Sequence, residues 1–163
     1  MAILDLVAQA LWFILPAYFA NGTPVLISKV FRGKFPIDFG KKMNDGEPVF
    51  GPGKTWPGFI IAIMIGTLVG FLQHRFMVGF LLSLGALLGD LVKSFFKRRL
   101  KIARGKSWPI ADQLDFVIGA LLLVSVVEVP SLPIVIIVLV LTPLIHLVTN
   151  AVAYLLKLKK EWY

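Results

Sequence analysis

The sequence predicts an all-α, polytopic membrane protein with five transmembrane helices, its N-terminus outside and its C-terminus cytoplasmic. Of its 163 residues, 58% are hydrophobic and only 16% are charged. The mean hydropathy is +0.84, and a soluble domain is only about half apolar. The apolar residues gather into five runs near the ~20 residues that a membrane-spanning helix needs. The basic residues gather between alternate runs, which sets the orientation.

The five apolar runs cover about residues 3–27, 56–72, 76–96, 110–129 and 132–156. The first run lacks a basic leading segment and contains Asp5 and Pro16, so we expect a retained span rather than a cleaved signal. Within it, Asn21-Gly22-Thr23-Pro24 predicts a kink or a break. Short connections at Gln73-His74-Arg75 and Pro130-Ser131 predict antiparallel neighbours. No internal repeat is visible, which favours one domain over residues 1–163.

Sixteen of the 17 lysines and arginines fall in three segments that five spans place on one side. The three sets are Lys29, Arg32, Lys34, Lys41, Lys42 and Lys54; Lys93, Lys97, Arg98, Arg99, Lys101, Arg104 and Lys106; and Lys157, Lys159 and Lys160. Only Arg75 falls on the other side. The positive-inside rule therefore puts the loops at about 30–55 and 97–109 and the C-terminal tail in the cytoplasm. Trp162-Tyr163 is expected to anchor the tail at the membrane interface.

The first of these loops has turn signals at Asp45-Gly46 and Gly51-Pro52-Gly53 and several phenylalanines. We expect it to fold onto the membrane face as a small flap.

Three aspartates are the strongest candidates for chemistry. Asp90 lies inside an apolar run, and a charge there costs about 3 kcal/mol, so it indicates function. Helical spacing puts Lys93 or Ser94, and then Lys97, on the same stripe as Asp90. Asp112 and Asp115 are one turn apart at the start of the fourth run, where Gly119 allows a close helix approach. We expect the three carboxylates to converge at one membrane face.

Three ionised carboxylates repel one another, by about 3 kcal/mol for each pair at ~5 Å, so a cation is expected among them. Mg²⁺ prefers oxygen ligands and is commonly held by carboxylates together with substrate phosphates. The competing interpretation is structural: Lys93 neutralises Asp90, and loop arginines pair with the other two aspartates.

Basic residues close to these carboxylates have two interpretations. The run Lys97-Arg98-Arg99-Leu100-Lys101 sets topology and attracts anionic headgroups, or it binds the phosphates of a nucleotide and a lipid.

Gly51-Pro52-Gly53-Lys54-Thr55 ends like a Walker A motif, but Pro48 stands where its first glycine belongs. An anion site at a helix N-terminus, with Lys54 and Thr55, is the weaker alternative. Asn21 and Thr23 are candidates to line the same cavity.

No cysteine is present, which excludes thiol nucleophiles and cysteine-ligated metals. No serine–histidine–aspartate arrangement is evident either. Phosphoryl and nucleotidyl transfer need little covalent help from a protein, because positioning and charge neutralisation supply most of the rate. His146 and Asn150, spaced i and i+4, are expected to be interhelical hydrogen-bonding residues.

The chain resembles the membrane CTP:phosphatidate cytidylyltransferases (CDP-diacylglycerol synthases). The motifs that carry the resemblance are Gly89-Asp90, Ser94-Phe95-Phe96-Lys97-Arg98, Lys106, Asp112-Gln113-Leu114-Asp115 and Gly53-Lys54-Thr55-Trp56 with Gly58. Ser107-Trp108-Pro109-Ile110-Ala111 replaces that family's histidine–glycine run, and Pro57 replaces its glutamate. With Asn21-Gly22-Thr23-Pro24 and Ile37-Asp38-Phe39-Gly40, the chain is more similar to the compact archaeal relatives, the CDP-archaeol synthases (CarS family).

The resemblance implies Mg²⁺-dependent transfer of CMP from CTP to the phosphate of 2,3-di-O-geranylgeranylglyceryl phosphate, with release of pyrophosphate. It makes Asp90, Asp112 and Asp115 the catalytic and metal carboxylates and Lys97 a catalytic phosphate contact. It implies substrate contacts at Lys54, Thr55, Arg98 and Lys106, and Asn21 and Ser94 are further candidates for substrate binding. The expected partners are CTP, a membrane lipid phosphate and the bilayer, with no nucleic acid; a homo-oligomer is left open.

Other functions, both other lipid enzymes and non-enzymatic membrane proteins, remain open at this point. A phosphatidate cytidylyltransferase would act on acyl lipids through the same residues. A CDP-alcohol phosphotransferase needs aspartates at i+4, whereas Asp112 and Asp115 are i+3. An anion transporter should show inverted-repeat hydropathy, which five spans do not. In a non-catalytic scaffold that binds anionic lipid, the three aspartates would be dispensable.

Overall fold

The protein is a bundle of five helices, described here from a computed structural model that covers residues 2–31, 34–103 and 106–157. The helices are α1 (Ile3–Phe31), α2 (Trp56–Leu72), α3 (Phe76–Arg99), α4 (Ala111–Val124) and α5 (Leu132–Leu155). This confirms the all-helical class and the helix count. Predictions on Arg32, Arg104, Lys159, Lys160 and Trp162-Tyr163 lie outside the described residues.

Three of the helices are long and apolar enough to cross a bilayer by length and composition: the described stretches Ile3–Ile27, Phe76–Arg99 and Leu132–Val152. α2 is a shorter apolar helix of 17 residues. α4 has 14 residues, about 21 Å at 1.5 Å per residue, and it ends before the predicted limit near residue 129. Ser125 Oγ donates to Leu121 O at 2.6 Å where the helix ends.

The predicted interruption of α1 is corrected by the structure. Within residues 2–31 the helix continues through Asn21 to Pro24, so a break is wrong and only the alternative of a kink is left. Thr23 Oγ1 donates to Phe19 O at 2.7 Å. Hydroxyls of this kind help transmembrane helices to tolerate proline by satisfying backbone carbonyls.

The core lies where α1, α3, α4 and α5 meet. α1 contributes Phe13, Ile14 and Ala17, and the helices around it contribute Leu82, Val117 and Val138 among others, all of them buried. Tyr18 Oη and Thr142 Oγ1 are hydrogen-bonded at 2.8 Å and join α1 to α5. Large apolar side chains face outward instead, as expected where lipid replaces water.

α3 is packed closely on both sides. α2 presents a buried face of small residues, Gly58, Ala62, Gly66 and Gly70, toward its neighbours. On the other side α3 crosses α4, where a Cβ added to Gly119 would overlap Gly85 O and lie 2.9 Å from Gly89 Cα. The predicted role of Gly119 as a close-approach residue is confirmed. The crossing fixes the start of α4 against the end of α3.

At the opposite end of the bundle, the short connections lie side by side. Arg75, in the link between α2 and α3, forms an ion pair with Glu128, in the link between α4 and α5. The Arg75 guanidinium also lies 5.5 Å from the centroid of the Phe13 ring. These contacts join the two hairpins at the end far from the basic loops.

Candidate active site

The flap, residues 34–55, is a folded loop, as predicted. Asp38 organises it, because its carboxylate accepts hydrogen bonds from the N–H groups of Gly40 (3.0 Å), Phe50 (3.0 Å) and Gly51 (2.9 Å). Burial raises the pKa of Asp38, but these three donors outweigh burial and hold the pKa below its usual value of 3.8.

The end of α3 holds the flap in place. Arg99 Nη2 donates to Pro48 O at 2.7 Å, and Arg99 Nε lies 3.0 Å from an Asp45 oxygen. The last residue of the flap, Thr55, caps α2 by accepting from Gly58 N at 3.4 Å. Lys54, just before this cap, is thereby directed toward α3.

A polar cavity of about 280 Å³ lies between the flap, the end of α3 and the start of α4. Its lining includes Asn21, Lys54, Asp90, Lys93, Lys97, Lys106, Asp112, His146 and Asn150. Four lysines but only two aspartates line it. This excess of positive charge suits a polyanion.

Asp90 lies on the fourth turn of α3 and is paired with two lysines from different parts of the chain. One oxygen contacts Lys54 Nζ from the flap, and the other lies 3.2 Å from Lys93 Nζ, one turn along α3. The side chain is 15% exposed. The sequence-predicted stripe through Asp90 and Lys93 is confirmed.

The two aspartates of α4 face the same point from the other side of the α3–α4 crossing. Asp112 accepts from Lys97 Nζ at 2.9 Å and from Trp108 N–H at 2.6 Å. Asp115 is the most buried of the three carboxylates, at 6% exposed. Its Oδ2 makes no hydrogen bond of good geometry in the described structure, although it lies 2.8 Å from Lys93 Nζ.

Lys93 is therefore the centre of the cluster. Its ammonium lies 3.2 Å from Asp90, 3.2 Å from Asp112 and 2.8 Å from Asp115. Three carboxylates and three ammonium groups, with Lys54 and Lys97 at the edges, balance one another. The predicted convergence of the aspartates is confirmed, and the cation at their centre is a lysine side chain.

This arrangement bears on both interpretations made from the sequence. The carboxylates have the donor chemistry that Mg²⁺ requires, and the Asp115 oxygen that lacks a hydrogen bond is directed into the cluster. Among the described residues, however, no group of three or more His, Cys, Asp or Glu stands ready to hold a metal ion. The carboxylates fit a divalent ion by their chemistry, and the Lys93 ammonium holds the position between them. The structural interpretation predicted that Lys93 neutralises Asp90, and this pair is present. It also predicted that loop arginines pair with Asp112 and Asp115, but both pair with lysines instead.

The other predicted contacts fall into two groups. Asn21 and Lys106 line the polar cavity, and Lys106 O accepts from Lys97 Nζ at 2.7 Å. Thr55, Ser94 and Arg98 do not appear among its lining residues in the described part of the chain. Thr55 caps a helix, Ser94 is buried, and Arg98 lies beside Gly51 of the flap.

Two residues assigned by sequence to helix packing also belong to the cavity wall. His146 Nδ1 and Asn150 Nδ2 are 3.1 Å apart on α5 and line the cavity with Gln113. Their i, i+4 spacing indicated that they share a face. Only the position of α5 shows that this face looks into the site.

An apolar groove adjoins the polar cavity. It lies between α3 and α4, measures about 740 Å³, and is bordered by Leu88, Val92, Phe96, Ile118 and Leu122. Lys93 and Asp115 are among its lining residues. A second apolar crevice, about 600 Å³, lies between α1 and α5 and shares Asn21, His146 and Asn150 with the polar cavity. The polar cavity and the apolar groove thus meet at Lys93, whose ammonium lies among the three carboxylates.

Comparison with known proteins gives one consistent answer. Residues 3–163 match the model of a family described as CarS-like, CDP-archaeol synthase. A CDP-archaeol synthase of Pyrococcus abyssi is 46% identical over 93% of this chain and 95% of its own. The CDP-archaeol synthase of Methanocaldococcus jannaschii is 40% identical over 97% of this chain and 98% of its own. A solved intramembrane enzyme for archaeal membrane lipid biosynthesis superposes with a TM-score of 0.76, at 34% identity, over 88% of this chain and 94% of its own.

Proposed function

The chain belongs to the CarS-like family of CDP-archaeol synthases, and from this premise we propose that it transfers CMP from CTP to 2,3-di-O-geranylgeranylglyceryl phosphate. Membership makes it a CTP-dependent cytidylyltransferase of lipid synthesis, so the anion transporter and the non-catalytic scaffold are set aside. The further parts of the proposal are the geranylgeranyl ether tails, the use of Mg²⁺, five spans and a site that faces the cytoplasm.

One observation carries the proposal: a polar, lysine-rich cavity that is lined by Asp90 and Asp112 meets, at Lys93, an apolar groove that is lined by Asp115. The two substrates differ in the same way, since CTP is a water-soluble polyanion and the lipid phosphate has its tails in hydrocarbon. Irregular backbone is tolerated at a membrane face where it lines a wet cavity. The flap supplies such backbone, and the groove gives the lipid a route from the bilayer.

The lysines of the cavity are suited to the triphosphate. Lys54, Lys97 and Lys106 approach it from the flap, from α3 and from the loop before α4. Each supplies a point charge for phosphate oxygens. Asn21, on α1, adds a neutral polar group to the same wall.

The reaction needs no covalent intermediate on the protein. An oxygen of the lipid phosphate attacks the α-phosphorus of CTP, the bond from that phosphorus to the oxygen bridging the β-phosphate breaks, and pyrophosphate leaves. Asp90, Asp112 and Asp115 would hold Mg²⁺, which when bound supplies charge neutralisation for the phosphates and the leaving group. The lysines hold both phosphate groups in line and stabilise the charge that develops.

The proposal is tested with the purified full chain, CTP, Mg²⁺ and the geranylgeranyl ether-lipid phosphate, with pyrophosphate release as the measurement. We expect turnover with the ether-lipid phosphate. A parallel assay with an acyl phosphatidate tests the tail preference, and we expect less turnover with that substrate. No turnover with any lipid phosphate contradicts the proposal.

Asp90→Asn provides the residue-level test. Loss of a charge that holds the metal and orders two lysines should reduce turnover by more than about 100-fold, as removal of one charge-stabilising group does elsewhere. The matched control is Asp5→Asn, an exposed aspartate in the first turn of α1, which should retain the wild-type rate. Equal rates in Asp90→Asn and wild type would remove Asp90 from the mechanism.

A further inference from the structure

The position of Lys93 distinguishes it from the other lysines of the site. Its ammonium is within 3.2 Å of all three carboxylates, whereas the described ion pairs of Lys54 and Lys97 each involve one. Its side chain is 15% exposed. A divalent ion bound by the same oxygens would stand where this ammonium stands, and two cations cannot share that position.

Lys93 also borders two different spaces. It lines both the polar cavity and the apolar groove between α3 and α4. The lysine side chain is a compact charge on a flexible four-carbon stem, and such stems lie along apolar surface while the charge turns to a polar partner. A change of rotamer along this stem is the motion by which the ammonium would leave the carboxylates for a phosphate held in the groove.

Building on the proposed function, we infer that Lys93 holds the divalent-ion position in the ligand-free enzyme and moves to the phosphate of the lipid substrate when the ion binds. The ion displaces the ammonium from Asp90, Asp112 and Asp115, and the phosphate group of a lipid in the groove accepts it. The total charge is the same in both states when the lipid phosphate is doubly ionised, because the divalent ion and the phosphate then cancel each other. Lys93 then binds the lipid substrate in the loaded enzyme and the carboxylates of the metal site in the ligand-free enzyme.

The exchange makes the binding of the two ligands cooperative. An ion that frees Lys93 prepares the anion site at the groove, and a lipid phosphate that holds Lys93 clears the carboxylates for the ion. By linkage, each ligand strengthens the other by the same factor. A purely structural lysine, which only neutralises buried carboxylates, gives no such coupling.

The test measures Mn²⁺ binding to the full chain in detergent micelles, by electron paramagnetic resonance of free Mn²⁺, without CTP. For Lys93→Gln we expect Mn²⁺ to bind at least tenfold more tightly than to wild type, because the competing cation is gone. Adding a dialkyl ether glycerophosphate should tighten Mn²⁺ binding severalfold in wild type and leave it unchanged in Lys93→Gln. Lys93→Arg keeps the charge and should resemble wild type in the first measurement.

Equal or weaker Mn²⁺ binding by Lys93→Gln overturns the inference, as does equal coupling to the lipid phosphate in both proteins. The kinetic prediction is a rise in KM for the lipid phosphate of at least tenfold in Lys93→Gln, with KM for CTP changed less than threefold. Equal rises in both constants contradict a lipid-phosphate contact.

A measurement on the unaltered chain covers the case in which Lys93→Gln does not fold. Reductive methylation followed by mass spectrometry reports the accessibility of each amine. Mg²⁺ should increase labelling of Lys93, and the ether glycerophosphate should decrease it again; labelling indifferent to Mg²⁺ overturns the exchange. A wild-type protein that shows the exchange but no turnover would contradict the proposed function and leave the exchange standing.

Discussion

Lys97 and Arg98 are neighbours in sequence, but α3 turns their side chains about 100° apart. Lys97 Nζ donates to Asp112 and to Lys106 O inside the cavity, whereas Arg98 lies beside Gly51 of the flap. We therefore expect Lys97→Met to lower kcat/KM for CTP by about 100-fold or more, in the range of a lost charge-stabilising contact. Arg98→Met should stay within about threefold. Equal losses in steady-state assays would contradict the separation.

The flap should depend on the ionised form of Asp38. Its pKa lies below 3.8 in the folded chain, so its stabilising hydrogen bonds are fully present above pH 3.8 and are lost as the pH falls through the lower, folded-state pKa. We expect pepsin to cleave the flap slowly at pH 4 and faster below that window. Asp38→Ala, which loses hydrogen bonds of about 2 kcal/mol each, should be cleaved at both pH values. Cleavage of wild type that does not change with pH would contradict this role.

Local spacing made much of the site predictable at the residue scale. Asp90, Lys93 and Lys97 share a helical stripe, and Asp112 and Asp115 are one turn apart, so their convergence followed from the pattern. Which cation lies among them depends on how closely α4 approaches α3, and that distance is a tertiary property. For the same reason, neighbouring residues such as Lys97 and Arg98 could not be distinguished before the orientation of α3 was known.

The α3–α4 crossing makes a prediction at the scale of the element. Gly119→Ala introduces a Cβ that overlaps Gly85 O, so we expect overpacking to cost about 1–3 kcal/mol and to move Asp115 away from Lys93. The matched control is Gly22→Ala, because a Cβ there meets nothing within 4 Å. Melting temperature and turnover should fall in Gly119→Ala and hold in Gly22→Ala. Equal behaviour of the two variants would contradict a tight crossing.

Helix limits were less predictable than helix number. Hydropathy located five helices but extended the fourth to about residue 129, whereas α4 ends at Val124. Three valines, at 126, 127 and 129, follow the helix end, so hydropathy extended the predicted span past Ser125 and Glu128. In α1, proline and glycine predicted an interruption, yet the packed helices around it and the Thr23 hydroxyl keep α1 continuous. In α1, packing and a local hydrogen bond from Thr23 to Phe19 outweighed the propensity of proline and glycine.

The distribution of basic residues predicts the orientation of the whole molecule, and this prediction is open to a direct test. The chain has no cysteine, so single substitutions give clean labelling sites. Lys42→Cys, exposed in the flap, should react with a membrane-impermeant maleimide only from the cytoplasmic side. Val129→Cys, 77% exposed in the link between α4 and α5, should react only from outside. Labelling of both from one side would contradict five spans.

The close crossing of α3 and α4 also determines how the site can admit a nucleotide. With backbone against backbone at Gly85 and Gly119, neither helix has room to slide past the other, so all three aspartates travel as one rigid body. Lys54 reaches that body from a separate segment, through its ion pair with Asp90. We therefore expect CTP to enter by movement of the flap, which would break the Lys54–Asp90 contact and the contacts of Arg99 with Asp45 and Pro48.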